Sequence, residues 1–311
     1  MKYINPGIAE LLDIDGGTTI ESTVYNPTNG VALWQTDVTG GAALAAIPQK
    51  IYGLFDIYLP DFSTTNKYSA EVGLYGKYGL HGVRIKKESS YYNVYIVING
   101  QSYKTKTYYS SDKTPDLKYG AVNSIYFYVK AKSVSIEDGE YKLFCNGKQV
   151  FSVVNTDPYF DNAYHLVISS NSENMPISNI ILSDSDIDLR EQITPVPLGT
   201  PITDMSSYGD GCYLAENEGE QILQPVDVTS LIADYGGASE VTGIAVAGNP
   251  AYKTASGLTQ LISISKVNNV QNEHGAKTLR TTATAGVIHC HEVEMSLADM
   301  AGMQLGWKAG E

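Results

Sequence analysis

Three Asn-Gly pairs lie between runs of alternating residues, and they constrain the fold more than any other feature of the chain. The clearest is in "YKLFCNGKQVFSVV", Tyr141 to Val154, where Asn146-Gly147 separates two such runs. The others are Asn99-Gly100 in "NVYIVINGQSYKT" and Asn29-Gly30 in "VYNPTNGVALWQ". A two-residue type I′ turn needs positive φ at both central positions, which Asn and Gly adopt at least cost. Its twist also matches that of the flanking strands. The spacing predicts antiparallel hairpins, with Leu143 opposite Val150 and Phe144 opposite Gln149.

The rest of the chain supports an all-β reading. There are 23 Tyr against 6 Phe and 2 Trp, and charged residues make up 18%, a mix rich in strand formers. Strands are expected in "KIYGLFDIYLP", "YSAEVGLYG", "HGVRIKK", "YNVYIVI", "QSYKTKTYY", "NSIYFYVKAKSV", "EYKLFC", "KQVFSVV", "YHLVISS" and "ISNIILSD". Most are bounded by Gly, Asn, Asp or Pro at the short intervals of a sandwich. In "SIYFYVKAK", alternation puts Ile125, Phe127 and Val129 on one face and Tyr126, Tyr128 and Lys130 on the other. Only "GIAELLD" and "GGAALAAI" hint at a short helix or turn. Further strands are expected in "QILQPVDVTSLIADYG", "EVTGIAVAG", "LTQLISISKV", "KTLRTTATAGVIHCHEVEM" and "MQLGWK", with "SLADMAG" as a helical turn.

A chain of 311 residues exceeds what one core usually organises. "ITPVPLGTPI", Ile193 to Ile202, holds three prolines and a glycine and reads as a stiff linker. Composition changes across it, since 19 of the 23 tyrosines precede Thr194. Residues 1–193 carry 16 Lys and Arg against 21 Asp and Glu, a net of −5; residues 194–311 carry 5 against 13, a net of −8. The expected organisation is a first domain over 1–193, a Pro-rich linker over 194–201 and a smaller β-sandwich over 202–311.

In the first domain "YIVINGQ", then "NSIYFYVKA", the acidic break "IEDGE", the hairpin "YKLFCNGKQVF" and the closing "MPISNIILSD" follow one another, and over roughly residues 20–190 this order resembles concanavalin A-like domains of the laminin-G type. It implies two curved antiparallel sheets in a jelly roll, with carbohydrate recognition as a theme. In the second domain "VDVTSLIADYGGASEVTGIAVAG" resembles a segment of galactose-binding-like jelly rolls, where "DVT" opens a turn before a core strand.

Several partner classes are disfavoured. A formal charge of −13 repels a phosphate backbone, so nucleic acid is not an expected partner. No basic amphipathic segment points to a membrane surface, and no apolar run reaches transmembrane length. The beginning "MKYINPGIAELLDIDGG" lacks the pattern of a secretory signal. Cys145, Cys212 and Cys290 are widely spaced and odd in number, which fits buried reduced thiols better than a disulfide framework.

Three clusters are candidate sites. Tyr91, Tyr92, Tyr95 and Tyr103 form an aromatic group suited to stacking on sugar rings, against the plainer reading of tyrosines filling a strand face. "SDSDIDLRE" alternates Asp184, Asp186 and Asp188, which on a strand would point three carboxylates one way, toward a calcium ion, against the plainer reading of a solvated acidic strand end. "GVIHCHEVEM" alternates His289 and His291, a pair able to hold a transition metal and similar to the metal-binding element at the tips of some phage fibres; the plainer reading is two polar residues facing solvent. No cofactor is otherwise expected.

Glycosidases on the concanavalin A-like fold use Glu-x-Asp-x-x-Glu on one strand, because retaining hydrolysis needs two close carboxyls. That spacing is missing here; "EDGEYK" is the nearest approach. The expectation is therefore a chain that is not an enzyme: a structural or recognition protein of a phage or prophage virion, meeting a glycan or neighbouring virion subunits, with a homo-oligomer as one form. The alternatives are a glycoside hydrolase or lyase and a metal-tipped trimer.

Overall fold

The computed structural model describes residues 2–5, 17–21, 31–35, 50–63, 65–76, 79–98, 100–112, 116–130, 139–156, 165–172, 174–189, 191–209, 211–248, 257–279 and 287–310. These belong to two units, Met1–Thr194 and Pro195–Glu311.

The first unit is built of strands: β1 (Lys2–Asn5), β2 (Gly17–Glu21), β3 (Val31–Gln35), β4 (Lys50–Leu59), β5 (Tyr68–Gly76), β6 (Gly79–Lys87) and β7 (Tyr91–Ile98). There follow β8 (Gln101–Tyr109), β9 (Ala121–Lys130), β10 (Gly139–Cys145), β11 (Lys148–Thr156), β12 (His165–Ser170) and β13 (Ile177–Ser183). Hydrogen bonding follows the path β11-β10-β9-β4-β13-β3-β12-β5-β6-β7-β8, with β1 on β13 and β2 on β3. Its weak point is β3, which meets β13 at Ile177↔Leu33 and β12 at Ser170↔Gln35. The two arms on either side are separate antiparallel sheets folded face to face as a jelly-roll sandwich.

Alternation decides what fills the space between the sheets. Phe55, Ile57 and Leu59 of β4, with Ile125, Phe127 and Val129 of β9 and Leu143 of β10, face Val72, Leu74, Val83, Ile85, Val94 and Ile96 of the other sheet. Each is nearly or wholly buried. Burying one such side chain is worth about 1.5–3 kcal/mol relative to leaving it in water. The intervening residues of β4, β9 and β10 face outward, and they build the site described below.

The expected hairpin is present, with one correction. Asn146 and Gly147 have φ of 50° and 77°, both in the left-handed region the turn requires. Phe144 pairs with Gln149, but Leu143 pairs with Phe151 and not with Val150. A bulge between Leu143 and Phe144 makes Val150 the extra residue of β11. The β7–β8 hairpin closes at Ile98↔Gln101, with Gly100 at φ 74°. Asn99, the Asn29-Gly30 pair, "GIAELLD" and "GGAALAAI" lie outside the described residues.

The second unit contains β14 (Ile202–Thr203), β15 (Ser206–Gly209), β16 (Cys212–Leu214), β17 (Gln221–Pro225), α1 (Thr229–Tyr235), β18 (Glu240–Gly248), β19 (Gln260–Val267), β20 (Val270–Thr278), β21 (Val287–Ser296) and β22 (Gln304–Gly310). Its main sheet runs β14-β17-β22-β19-β20, and β15–β16 and β18–β21 are two-stranded ribbons. Leu305 of the sheet, Ile244 and Val246 of the ribbon and Leu231 of α1 share one apolar cluster. The expected strand through "QILQPVDVTSLIADYG" therefore ends at Pro225, and Thr229–Tyr235 is helix. Asp227 Oδ1 accepts the Thr229 N–H at 3.0 Å, and Leu231 turns into the core, so "DVT" opens a helix. The Pro-rich stretch is laid along this unit: Leu198 bridges to Val226, and the Asp227 N–H donates to the Pro197 carbonyl at 3.0 Å.

Cys145 is buried as expected, but Cys212 is exposed on the two-stranded β15–β16 ribbon. The Cys290 side chain is outside the described set. Among the described residues no helix is long and apolar enough to cross a membrane.

Candidate functional site

Three neighbouring strands carry a second aromatic set on the outward face of the first sheet. Register places Tyr52 of β4 beside Tyr128 of β9, and Tyr128 beside Lys142 of β10. One row along, Leu54, Tyr126 and Phe144 stand in line across the same strands. Directly opposite residues in an antiparallel pair share a face, so the rings meet. The Tyr52 and Tyr128 centroids are 4.8 Å apart with rings tilted by 36°, and Phe144 meets Tyr126 edge to face at 5.4 Å.

The chain then returns over this face. After β13 it bends, and Ile187 packs against Leu54, Tyr126 and Ile181. The result is a groove of about 420 Å³ lined by Tyr52, Tyr126, Tyr128, Phe144, Ile187 and Leu189, with Glu140, Lys142 and Asp186 among its walls. That volume lies in the range of sites for small ligands. Lys142 Nζ is 2.7 Å from Glu140 Oε1 and 5.5 Å from the Tyr128 ring centroid. The Tyr126 hydroxyl lies near Asp186, and burial pushes that phenol well above its ordinary range, with the nearby Asp186 charge adding to the effect, so it stays protonated. The walls thus offer carboxylate acceptors and the Lys142 ammonium above an aromatic floor, and Lys50 Nζ stands 5.5 Å from the Tyr52 ring centroid.

The tyrosines singled out by sequence do not form one surface. Tyr92 is fully buried: its ring stacks on Tyr119 at 5.5 Å, and its hydroxyl donates to the Pro60 carbonyl. It belongs to the core, because β7 turns Tyr92, Val94 and Ile96 inward and Tyr91 and Tyr95 outward. Tyr103 stands opposite Ile96 on edge strand β8 and is 47% exposed, its hydroxyl donating to Gln101 Oε1 at 3.2 Å. Tyr91 and Tyr95 are half-buried on the outer face, Tyr91 against Tyr109 at 5.9 Å and Tyr95 with Lys86 Nζ 6.0 Å from its ring.

Asp184, Asp186 and Asp188 follow β13 in a bend and an irregular segment, not on a strand. The strand ends at Ser183 because Ile187 must turn back onto the sheet. Of the three, Asp186 alone lines the groove. His289 and His291 pair in register with Val246 and Ile244, and their side chains are outside the described set. Among the described residues no group of three or more metal-ligating side chains comes together.

Sequence reasoning passed over the groove, although its signal was present. Alternation in "SIYFYVKAK" had already turned Tyr126 and Tyr128 away from the core. The same alternation in "KIYGLF" and "EYKLFC" turns Tyr52, Glu140, Lys142 and Phe144 outward.

No protein-family model matches the chain, and no curated protein is similar to it. Among solved structures it is similar to the endo-beta-1,4-glucuronan lyase from the fungus Trichoderma reesei at 13% identity, over 58% of this chain and 94% of that one, with a TM-score of 0.38. It is also similar to sheep galectin-11 in complex with glycerol (13% identity, 46% and 95% covered, TM-score 0.30). A third is the marine alginate lyase from Aplysia kurodai (13% identity, 54% and 81% covered, TM-score 0.31). No residue role is carried across at these values. They do correct the expectation of a chain that is not an enzyme, since polysaccharide lyases are among these structures. The missing carboxylate spacing speaks only to retaining hydrolysis, whereas a proton can be abstracted by Tyr, His or Lys as well.

Proposed function

We propose that the protein binds carbohydrate in the groove between β10 and the 186–189 segment. One observation carries this reading: half-exposed Tyr52, Tyr128 and Phe144 form an aromatic floor beside Glu140, Lys142 and Asp186. A sugar presents C–H groups on the face of its ring and hydroxyls around its edge. Tyrosine rings pack against the first at low entropic cost, and carboxylates and an ammonium hydrogen-bond the second.

Calorimetric titration of the full chain with a panel of oligosaccharides tests the proposal. Tyr52→Ala and Tyr128→Ala are expected to weaken binding by about tenfold or more, on the order of one lost stacking contact. Tyr91→Ala and Tyr95→Ala are expected to leave it unchanged. The opposite pattern moves the site to the other sheet, and binding of no saccharide overturns the proposal. New reducing ends or unsaturated products in the same samples report whether the bound sugar is also cleaved. The virion setting is a separate proposal, tested by looking for the chain in purified particles.

A further inference from the structure

We infer that the β15–β16 ribbon of the second unit docks an extended, lysine- or arginine-bearing segment of another protein. All four residues of β15 are exposed, and so are Cys212 and Tyr213 of β16. Among the described residues no further strand pairs with either outer edge of the ribbon. A two-stranded ribbon exposed along its length is marginal in water, and a third strand laid along an open edge adds a ladder of backbone hydrogen bonds. Side chains add to the hold. Tyr208 is 77% exposed and Tyr213 37%. Tyr208 falls at the irregularity between Ser207 and Gly209 and has no partner in the ladder. Exposed tyrosine rings are enriched at protein interfaces and take an ammonium or guanidinium over their faces.

Charge sets the sign of the partner. Residues 195–252 contain eight Asp or Glu and no Lys, Arg or His. Asp204 precedes β15, and Glu216, Glu218 and Glu220 follow β16. Hydrogen bonds hold this group at the base of the ribbon: Asp204 Oδ1 accepts the Gln221 N–H at 2.5 Å, and Glu220 Oε2 accepts the Glu216 N–H at 2.7 Å. The lysine closest in register is Lys308, opposite Gln221, and it reaches across β19 to Glu273 of β20 at 2.5 Å, away from β17. Lys266 and Lys277 lie on β19 and β20, farther along the same sheet, and Lys253 and Arg280 lie outside the described residues. Carboxylates gathered beside an open strand edge draw in a cationic segment and repel an anionic one.

The test is fluorescence anisotropy of a labelled peptide of alternating Lys and Val, titrated with the full chain under reducing conditions. Two control peptides separate the causes: one of equal charge with Pro in place of Val, which lacks half of the N–H groups a strand edge needs, and one of alternating Glu and Val. The Lys-Val peptide is expected to bind, more weakly as salt rises, and each control to bind at least about tenfold less tightly. The double variant Tyr208→Ser, Tyr213→Ser, its fold checked by circular dichroism, is expected to weaken binding about tenfold, the size of two contacts between a cation and a ring. Absence of binding, equal binding of the Pro peptide, or undiminished binding to the double variant overturns the inference. Self-association of the chain alone in sedimentation, lost in the double variant, also overturns it by making a second copy the occupant.

Discussion

The side-chain amide of Asn146 donates to the side-chain oxygen of Asn123 at 2.9 Å, so the residue that turns the β10–β11 hairpin also ties it to the start of β9. The same amide reaches the Asp116 carbonyl at 2.7 Å, and the Asn146 side-chain oxygen accepts the Ser124 N–H at 3.0 Å. Asn123 is fully buried and holds Lys118 and Ala121 by their carbonyls at 2.8 and 3.1 Å. Asp116 in turn pairs with Lys106 and Lys148. A local turn signal in the sequence is therefore also a tertiary anchor.

Two substitutions separate these roles. Asn146→Gly keeps the positive φ and removes the side-chain bonds, which should cost about 1–3 kcal/mol. Asn146→Ala also forces a Cβ into the left-handed region and should cost roughly 1 kcal/mol more. Urea denaturation of both variants measures the difference. If Asn146→Gly unfolds at the wild-type midpoint, the anchor contributes nothing.

Tyr92 provides a second test, of core against surface. Tyr92→Phe leaves the Pro60 carbonyl without its donor and is expected to cost about 1 kcal/mol. Tyr92→Ala removes a ring packed between Phe62 and Tyr119 and is expected to cost about 3–5 kcal/mol. Saccharide affinity of the Phe variant should equal that of wild type. A loss of affinity there without a loss of stability would return Tyr92 to a ligand surface.

Alternation and turn chemistry made most of the first unit legible, because a strand with one buried face writes its face assignment into every second residue. "SIYFYVKAK" sorted its residues correctly, and Asn146-Gly147 marked its turn. Less was legible where pairing or packing overrides local pattern. The bulge that displaces Val150 leaves no mark in "KLFCNGKQVF", and Tyr92 could not be told from Tyr91 without knowing which face of β7 is inward. Ile187 is one apolar residue in an acidic run, yet its burial places Asp186 on the groove. The groove therefore depends on a contact between segments 60 residues or more apart, which periodicity does not encode.

Gly73 and Gly82 face each other across β5 and β6, and the two backbones approach too closely for any side chain. A Cβ on Gly73 would lie 2.2 Å from the His81 carbonyl oxygen, and one on Gly82 would lie 2.2 Å from that of Val72. Backbone cannot swing aside as a side chain can. Gly73→Ala and Gly82→Ala are each expected to cost about 3 kcal/mol, at the upper end for overpacking, by prising the two strands apart. Thermal denaturation of either variant checks this, and an unchanged midpoint would mean the strands separate freely.

His81 sits between the sheets, 2% exposed, with its Nδ1 3.5 Å from the Tyr141 hydroxyl. Burial lowers its pKa to about 4 from an ordinary 6.5. Between those values the unfolded chain binds the proton and the folded chain does not, so stability rises with pH across this window. The contribution is complete above about pH 6.5, is lost progressively toward pH 4, and amounts to about 3 kcal/mol. Asp56 acts in the opposite sense, because burial holds its carboxyl above the usual range; its stabilisation fades as pH rises through that raised value. The informative quantity is therefore the difference between wild type and His81→Gln in urea midpoints from pH 4 to 7. The variant should lose the His81 part of the slope while keeping that of Asp56, and parallel pH profiles for the two proteins would show that the imidazole titrates alike in the folded and unfolded chain.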